Sequence, residues 1–431
     1  MTVCAIENKT VGATGAAEDH GDAALEDSEP EAPGATDDPP DGADGGGAPL
    51  GATPAAPSFT IAADGSYAAR LALAEVAAEG PGEAGGAWFV ERWTLDGPEP
   101  YAVPLPLDQP EEPDSEVLPL ADGRVLIRRR VADRHAVSLL YPTGPGTGEL
   151  PLGAVECAEL TLLPPTPDGV SAYALSAGAH STSVWLVAGG VHGPEPVAEV
   201  PGRCSGGVWL DRTGRMLALD REMPGGGPVK AVAVDLERGG EVTPLLQIAP
   251  ASNDRLLLAD PDSGLLLIRS DAPGHDRLGW GVLGSCLPVR FPECLRPADV
   301  AVTPFAVQPG QVLMPESCAV ALRIDGAAGS WVGVWRPAGR RLHQLAAPQG
   351  WQAGRGVWTR EGVLRLPYAD GNVACGVALL AAPADDGYGV RPSAEPGAES
   401  GMQPSAAAAP LPVCKPIPLG QAPLTGRMVP G

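Results

Sequence analysis

The sequence predicts an all-β fold, a seven-bladed β-propeller preceded by a disordered acidic N-terminal tail. Three observations predict it. The 431 residues include 57 Gly and 49 Pro but only 4% aromatics, a mixture that suits many short strands and tight turns. It defeats long helices, whose hydrogen-bond ladder Gly and Pro interrupt. A strand-turn-strand phrase recurs seven times. Its turn-to-turn spacing, ~45–58 residues, is that of a four-stranded propeller repeat.

Residues 1–57 hold twelve acids (Glu7, Glu18, Asp19, Asp22, Glu26, Asp27, Glu29, Glu31, Asp37, Asp38, Asp41 and Asp44) against one base, Lys9, and almost no large apolar side chain. Such a segment cannot bury enough surface to offset the entropy of ordering, so disorder is predicted for it.

The propeller is predicted over residues 58–420. Its phrases are SYAARLALA after Gly65, RVLIRRRV after Gly123, VSAYALSA after Gly169, RMLALDRE after Gly214, LLLIRSD after Gly264, CAVALRID after Ser317 and VLRLPYAD after Gly362. Third strands are predicted at AWFVERWTL, AVSLLYP, TSVWLVA, KAVAVDL, RLGWGVL, SWVGVW and VACGVALL. Several are nearly all apolar, as expected of a sheet packed between two neighbours. Residues 383–410 read as a low-complexity loop and residues 421–431 as a C-terminal tail. The seventh blade takes its fourth strand either from LPVCKPIPL (Leu411 to Leu419) or from a segment near Ser58.

The formal net charge of −24 argues against nucleic acid and anionic lipid, since binding either relies on cationic groups at phosphates. No 18-residue apolar span and no cleavable leader is read, so no membrane partner and a cytoplasmic location are expected. The cysteines (Cys4, Cys157, Cys204, Cys286, Cys294, Cys318, Cys375, Cys414) form no CxxC pair and read as small hydrophobes. Trp185, Trp280 and Trp335 on third strands, and Trp209 and Trp358 on first strands, read as packing between blades.

The phrases LADGRVLIRRR and TPDGVSAYALS, with third strands such as VAVDLERGGEVTPLL, resemble TolB-type and WD40-like propellers. They are also similar to the propeller that precedes the hydrolase domain of prolyl oligopeptidase-family serine peptidases. The paired Gly-His and Trp-Asp of WD40 repeats are missing. The resemblance covers about residues 58–420 and implies a ring with a central channel and loop-rich faces.

No catalytic or cofactor motif survives inspection. No serine lies in G-x-S-x-G; Ser205 in GRCSGG has Arg203 where the first glycine belongs. Gly279, Gly281 and Gly284 match GxGxxG but fall on a predicted strand, with no helix to follow. Asp260, Asp262 and Asp271 fit positions 1, 3 and 12 of a calcium loop, yet Leu265 stands where the turn needs Gly. The six histidines (His20, His135, His180, His192, His275, His343) are isolated from one another. In the run Arg128, Arg129, Arg130, alternation places Arg128 and Arg130 on one face, as a patch for acidic groups.

The expected function is therefore a non-catalytic scaffold for protein interaction or ligand binding. No cofactor, metal site or catalytic residue is assigned, and the partner is expected to be a protein. One alternative is the propeller of a prolyl oligopeptidase-like serine peptidase lacking its hydrolase domain, for which no room is expected before Gly431. Another is a metabolite-processing enzyme with carboxylates around the channel.

Overall fold

The computed structural model describes residues 59–74 and 86–384. The tail over 1–57, the loop body and the candidate strand Leu411 to Leu419 lie outside the described residues. What is described is all-β, built from antiparallel groups that each run as a simple meander, an arrangement consistent with a β-propeller.

The first group is β1 (Thr60–Ile61), β2 (Tyr67–Ala74), β3 (Ala87–Thr94) and β4 (Tyr101–Leu105). The second is β5 (Glu116–Pro119), β6 (Val125–Val131), β7 (Arg134–Pro142) and β8 (Thr147–Glu156), and the third is β9 (Thr161–Leu162), β10 (Ala172–Ala177), β11 (Ser181–Ala188) and β12 (Glu195–Pro201). Next come β13 (Arg203–Trp209), β14 (Met216–Glu222), β15 (Lys230–Asp235) and β16 (Glu241–Pro244), followed by β17 (Asp254–Ala259), β18 (Leu265–Ser270) and β19 (Arg277–Val282). A single parallel pairing, Lys230 with Asp254, joins these two groups into one seven-stranded sheet. The chain continues through β20 (Ala301–Val307), β21 (Val320–Gly326), β22 (Gly329–Trp335) and β23 (His343–Leu345), and then β24 (Val357–Trp358), β25 (Val363–Tyr368) and β26 (Gly376–Ala381).

The hairpin between the first two strands of a group explains the repeat. Gly65, Gly123, Gly169, Gly214, Gly264 and Gly362 all sit at φ between 70° and 83°, a left-handed turn conformation that a Cβ opposes. Aspartates organise five of these turns by accepting backbone N–H groups: Asp64 from Ser66, Asp122 from Arg124, Asp168 from Val170 and Ser171, Asp211 from Thr213 and Met216, and Asp260 from Ser263. Ser317 departs from the expectation. It lies in a 3-10 turn, Pro315–Ser317, within a longer connection from β20 to β21.

Two groups show three strands among the described residues. In the fifth, Arg290 exchanges backbone hydrogen bonds with Trp280 in the fourth-strand position. Pro288 and Pro292 flank it, and prolines lack the N–H needed to extend the ladder. In the last group, Thr60–Ile61 does not supply the missing strand; it pairs with β2.

Apolar clusters fill every junction between consecutive groups. Leu71, Val90 and Leu105 meet Val125, Ile127 and Leu140; Leu126 and Leu139 meet Ala174 and Val187; Val184 and Val200 meet Leu217 and Val232. Ala231 and Ala233 meet Leu266 and Ile268; Leu265 and Trp280 meet Leu322 and Trp335; Val332 and Val334 meet Leu364 and Leu366. The last junction returns to the start, with Cys375 and Val377 against Phe59, Ala68 and Trp93. This is why stretches such as Val125–Ile127 and Ala231–Val234 are apolar on both faces: each face packs a different neighbour. The tryptophans Trp209, Trp280, Trp335 and Trp358 lie buried in these junctions, and Trp185 is packed against one of them.

Candidate functional site

First strands of several groups, and the turns beside them, line one space. Residues Thr60–Ala63, Glu116–Leu118, Leu162–Pro165, Phe305 and Gly354–Val357 surround a cavity of about 490 Å³. Positions nearly 300 residues apart thus share one space. Among the described lining residues only Glu116 and Arg355 carry charge.

Glu116 is committed to its neighbours. Its Oε2 accepts the Leu162 backbone N–H at 2.7 Å, tying the second group to the third, and its Oε1 lies 3.1 Å from an Arg128 nitrogen. Arg128 is 7% exposed and also lies 3.4 Å from His135 Nδ1. A guanidinium only donates, so Nδ1 accepts and the imidazole carries its proton on Nε2. Burial, and then the Arg128 charge, push the His135 pKa down, which keeps the ring neutral near pH 7.

Arg355 is different. It is held in a tight bend: its N–H donates to the Gln352 carbonyl at 2.9 Å, and its own carbonyl accepts Trp351 Nε1 at 2.8 Å. Gly354 takes φ +77°, and a Cβ on Gly356 would meet the Arg365 carbonyl oxygen at 2.9 Å. Glycine is therefore required on both sides, and the bend presents the arginine to the cavity. The residue is solvent-accessible, and no carboxylate partner is found for its guanidinium among the described residues. Desolvation by the surrounding protein, and then the nearby Arg323 charge, lower its pKa.

Chemically, this lining offers one unneutralised cation, a satisfied carboxylate, backbone edges and apolar walls. It brings together no nucleophile and base. Ser205 stands exposed on β13, while Gly279 and Gly281 lie within β19. Asp262 is paired with Arg212 and accepts the Gly310 N–H, and Asp271 accepts from Asn253. No cluster of three His, Cys, Asp or Glu side chains arranged to hold a metal occurs among the described residues. Of the arginine run, Arg128 turns to Glu116, Arg129 pairs with Glu111 and Glu149, and Arg130 is exposed. Sequence reasoning passed over Arg355, whose one local signal is its position between two glycines.

No protein-family model and no curated protein matches the sequence. Solved structures do. The chain is similar to prolyl oligopeptidase B from Galerina marginata, at 11% identity and a TM-score of 0.45, over 75% of this chain and 48% of that one. It is similar to the β-propeller domain of the Trilobed protease from Pyrococcus furiosus, at 10% identity and a TM-score of 0.45, over 75% and 94% of the two chains. It is also similar to a putative TolB from Agrobacterium tumefaciens, at 15% identity and a TM-score of 0.34, over 68% and 90%. The chain spans about half the length of the full-length peptidase it matches.

Proposed function

We propose that the chain is a seven-bladed β-propeller that serves as a non-catalytic scaffold, with the central cavity as its ligand site. Seven apolar junctions serve seven strand groups, and the last returns to the first. That count supports a ring closed by packing, which leaves no sheet face bare. The observation that carries the functional reading is the cavity lining: a positioned, unneutralised Arg355 beside a carboxylate already spent on Arg128 and Leu162. Such a lining recognises and holds a ligand, and its described side chains supply no proton-transfer pair.

Low-stringency affinity capture from native lysate tests this, comparing the wild-type chain with Ala63→Trp, which fills the cavity from an exposed lining position. The expected result is a reproducible companion retained by wild type and lost in A63W. Recovery of the chain alone, or equal capture by both, contradicts the reading.

The phrases on β6 and β10 that resemble peptidase propellers support a second reading, the propeller portion of a prolyl oligopeptidase-like serine peptidase lacking its hydrolase domain. Sequencing the genomic DNA around the coding region tests it. A neighbouring frame carrying G-x-S-x-G supports this reading, and none within the transcript removes it.

A further inference from the structure

The charge left over at the cavity is a single positive one. Arg355 and Glu116 are the charged side chains of its described lining, and Glu116 is occupied by Arg128 and the Leu162 N–H. Arg323 packs behind the bend, where a Cβ on Gly354 would meet its Cδ at 3.1 Å. That second guanidinium is matched by Asp325 at 2.8 Å, an acceptor that Ser330 Oγ also uses. Arg355 has no carboxylate partner among the described residues, so its charge stands uncompensated in a concave site. Apolar side chains, among them Ile61, Val117, Leu162, Phe305 and Val357, line the same space.

We propose that the cavity binds a single carboxylate carried on an apolar body, with Arg355 as its anchor. This rests on reading the cavity as the ligand site and names the chemistry of what it takes. Two sources share that chemistry: a free organic acid, and the C-terminus of a peptide that ends in an apolar residue.

Three physical points select this class. A guanidinium matches a carboxylate with two parallel N–H···O bonds, a stronger contact than with a neutral acceptor. Desolvation and the Arg323 charge both make the Arg355 cation costly to hold; an incoming anion relieves that cost, and partial desolvation strengthens the pair relative to bulk water. A phosphate or a dicarboxylate fits less well, because the described lining has one free cation to set against its charges and the Glu116 carboxylate shares the space. Finally, the cavity of about 490 Å³ falls within the ~300–1,000 Å³ usual for small-molecule sites, where apolar walls supply contact and a few placed polar groups fix orientation.

Saturation-transfer NMR on the full chain tests the proposal with two probes, 4-phenylbutyrate and N-acetylalanylleucine, each titrated beside its uncharged amide. At least one acid is expected to bind, with its amide weaker by about tenfold or more. Arg355→Gln should weaken that acid to the level of its amide. Arg355→Lys should recover part of the affinity, since the charge returns without the paired donors. Raising the salt to about 0.5 M NaCl should weaken the acid and leave the amide unchanged. Arg355 is exposed, so both variants should melt as wild type does. Tighter binding of the peptide acid identifies a C-terminus as the better source, and tighter binding of phenylbutyrate a free acid.

Equal binding of acid and amide, undiminished binding by R355Q, or no binding of either acid overturns the proposal. Ala63→Trp separates this inference from the broader reading of the cavity, and loss of acid binding in A63W is expected. If acid and amide bind wild type equally and A63W loses both, the carboxylate inference fails and the cavity stands as the ligand site. If A63W binds the acids as wild type does while R355Q does not, the cavity reading fails and takes this inference with it.

Discussion

Lys230 Nζ lies 2.7 Å from Asp254 Oδ2, and the same two residues form the one parallel β-pairing among the described residues. Asp254 is fully buried and also accepts from the Ile248 N–H, Ser252 Oγ and Ser270 Oγ. Lys230 spends its other donors on the Ala249 carbonyl and Ser252. Backbone and side chains thus join the fourth and fifth groups at one point. Removing one partner strands a buried charge, at a cost of about 3–5 kcal/mol. Asp254→Ala is expected to lower the unfolding free energy read from urea melts by that amount. The double variant with Lys230→Met should lose clearly less than the sum of the two singles. Additive losses in the three melts would contradict the coupling.

Asp262 joins three consecutive turns: Arg212 donates to both of its oxygens, and the Gly310 N–H donates at 2.6 Å. The Arg212 guanidinium holds the Asp262 carboxyl below its ordinary pKa. A depressed folded-state pKa contributes stability that is present above the unfolded value of about 3.9 and is lost as pH falls through the folded one. Asp262→Asn should therefore melt lower than wild type at pH 7, by an amount corresponding to about 1 kcal/mol for a pair with one exposed partner. The gap should close on acidification below about pH 4. A gap that persists or widens there would contradict this assignment.

Burial raises the Cys318 thiol to about 11 and the Cys375 thiol to about 12. Only the thiolate reacts with alkylating agents. In the native chain at pH 8 both are expected to resist iodoacetamide while exposed Cys286 is modified, and both should take up label once urea unfolds the chain. Labelling of Cys375 at the rate of Cys286 in native buffer would contradict its place in the closing junction.

That junction holds by apolar packing more than by charge. Arg365 reaches the Leu95 carbonyl and Asp96 Oδ1 at 2.7 Å, but Asp96 is largely exposed, so Arg365→Ala should cost about 1 kcal/mol. Trp93 is fully buried and stacks edge-on against Phe59 at 4.9 Å. Trp93→Ala leaves a large hole and should cost about 3–5 kcal/mol. In W93A, amide exchange should accelerate in β2 and β25 while β15 stays protected. Uniform acceleration in all three strands would show that the junction is not a local seam.

Much of this fold was legible in the sequence because the repeat writes itself locally. In five of the first turns the Asp and Gly sit a few residues apart, and β3, β7, β11, β15, β19 and β22 fall on their predicted segments. The patch expected of Arg128 and Arg130 was not so simple: Arg128 is buried against Glu116, while Arg130 is exposed. The sixth turn was harder, because Ser317 precedes the right strand but the long β20–β21 connection carries no single turn residue to align. Arg290 in the fourth-strand position escaped notice because prolines on either side hide a one-residue pairing. The site was not legible at all. Thr60, Glu116, Leu162 and Arg355 share a cavity only because strand groups far apart in the chain pack together, and no spacing between them records that.

The central claim is that seven blades close around one cavity through contact between the first and last. A crystal structure of the full chain, with density sufficient to count the antiparallel strand groups, tests it most directly. The account predicts seven strand groups around one cavity, the fourth and fifth bridged by the Lys230–Asp254 pairing, with Trp93 packed against Cys375 and Val377. Six or eight strand groups, or an open arc with Trp93 exposed to solvent, would contradict it.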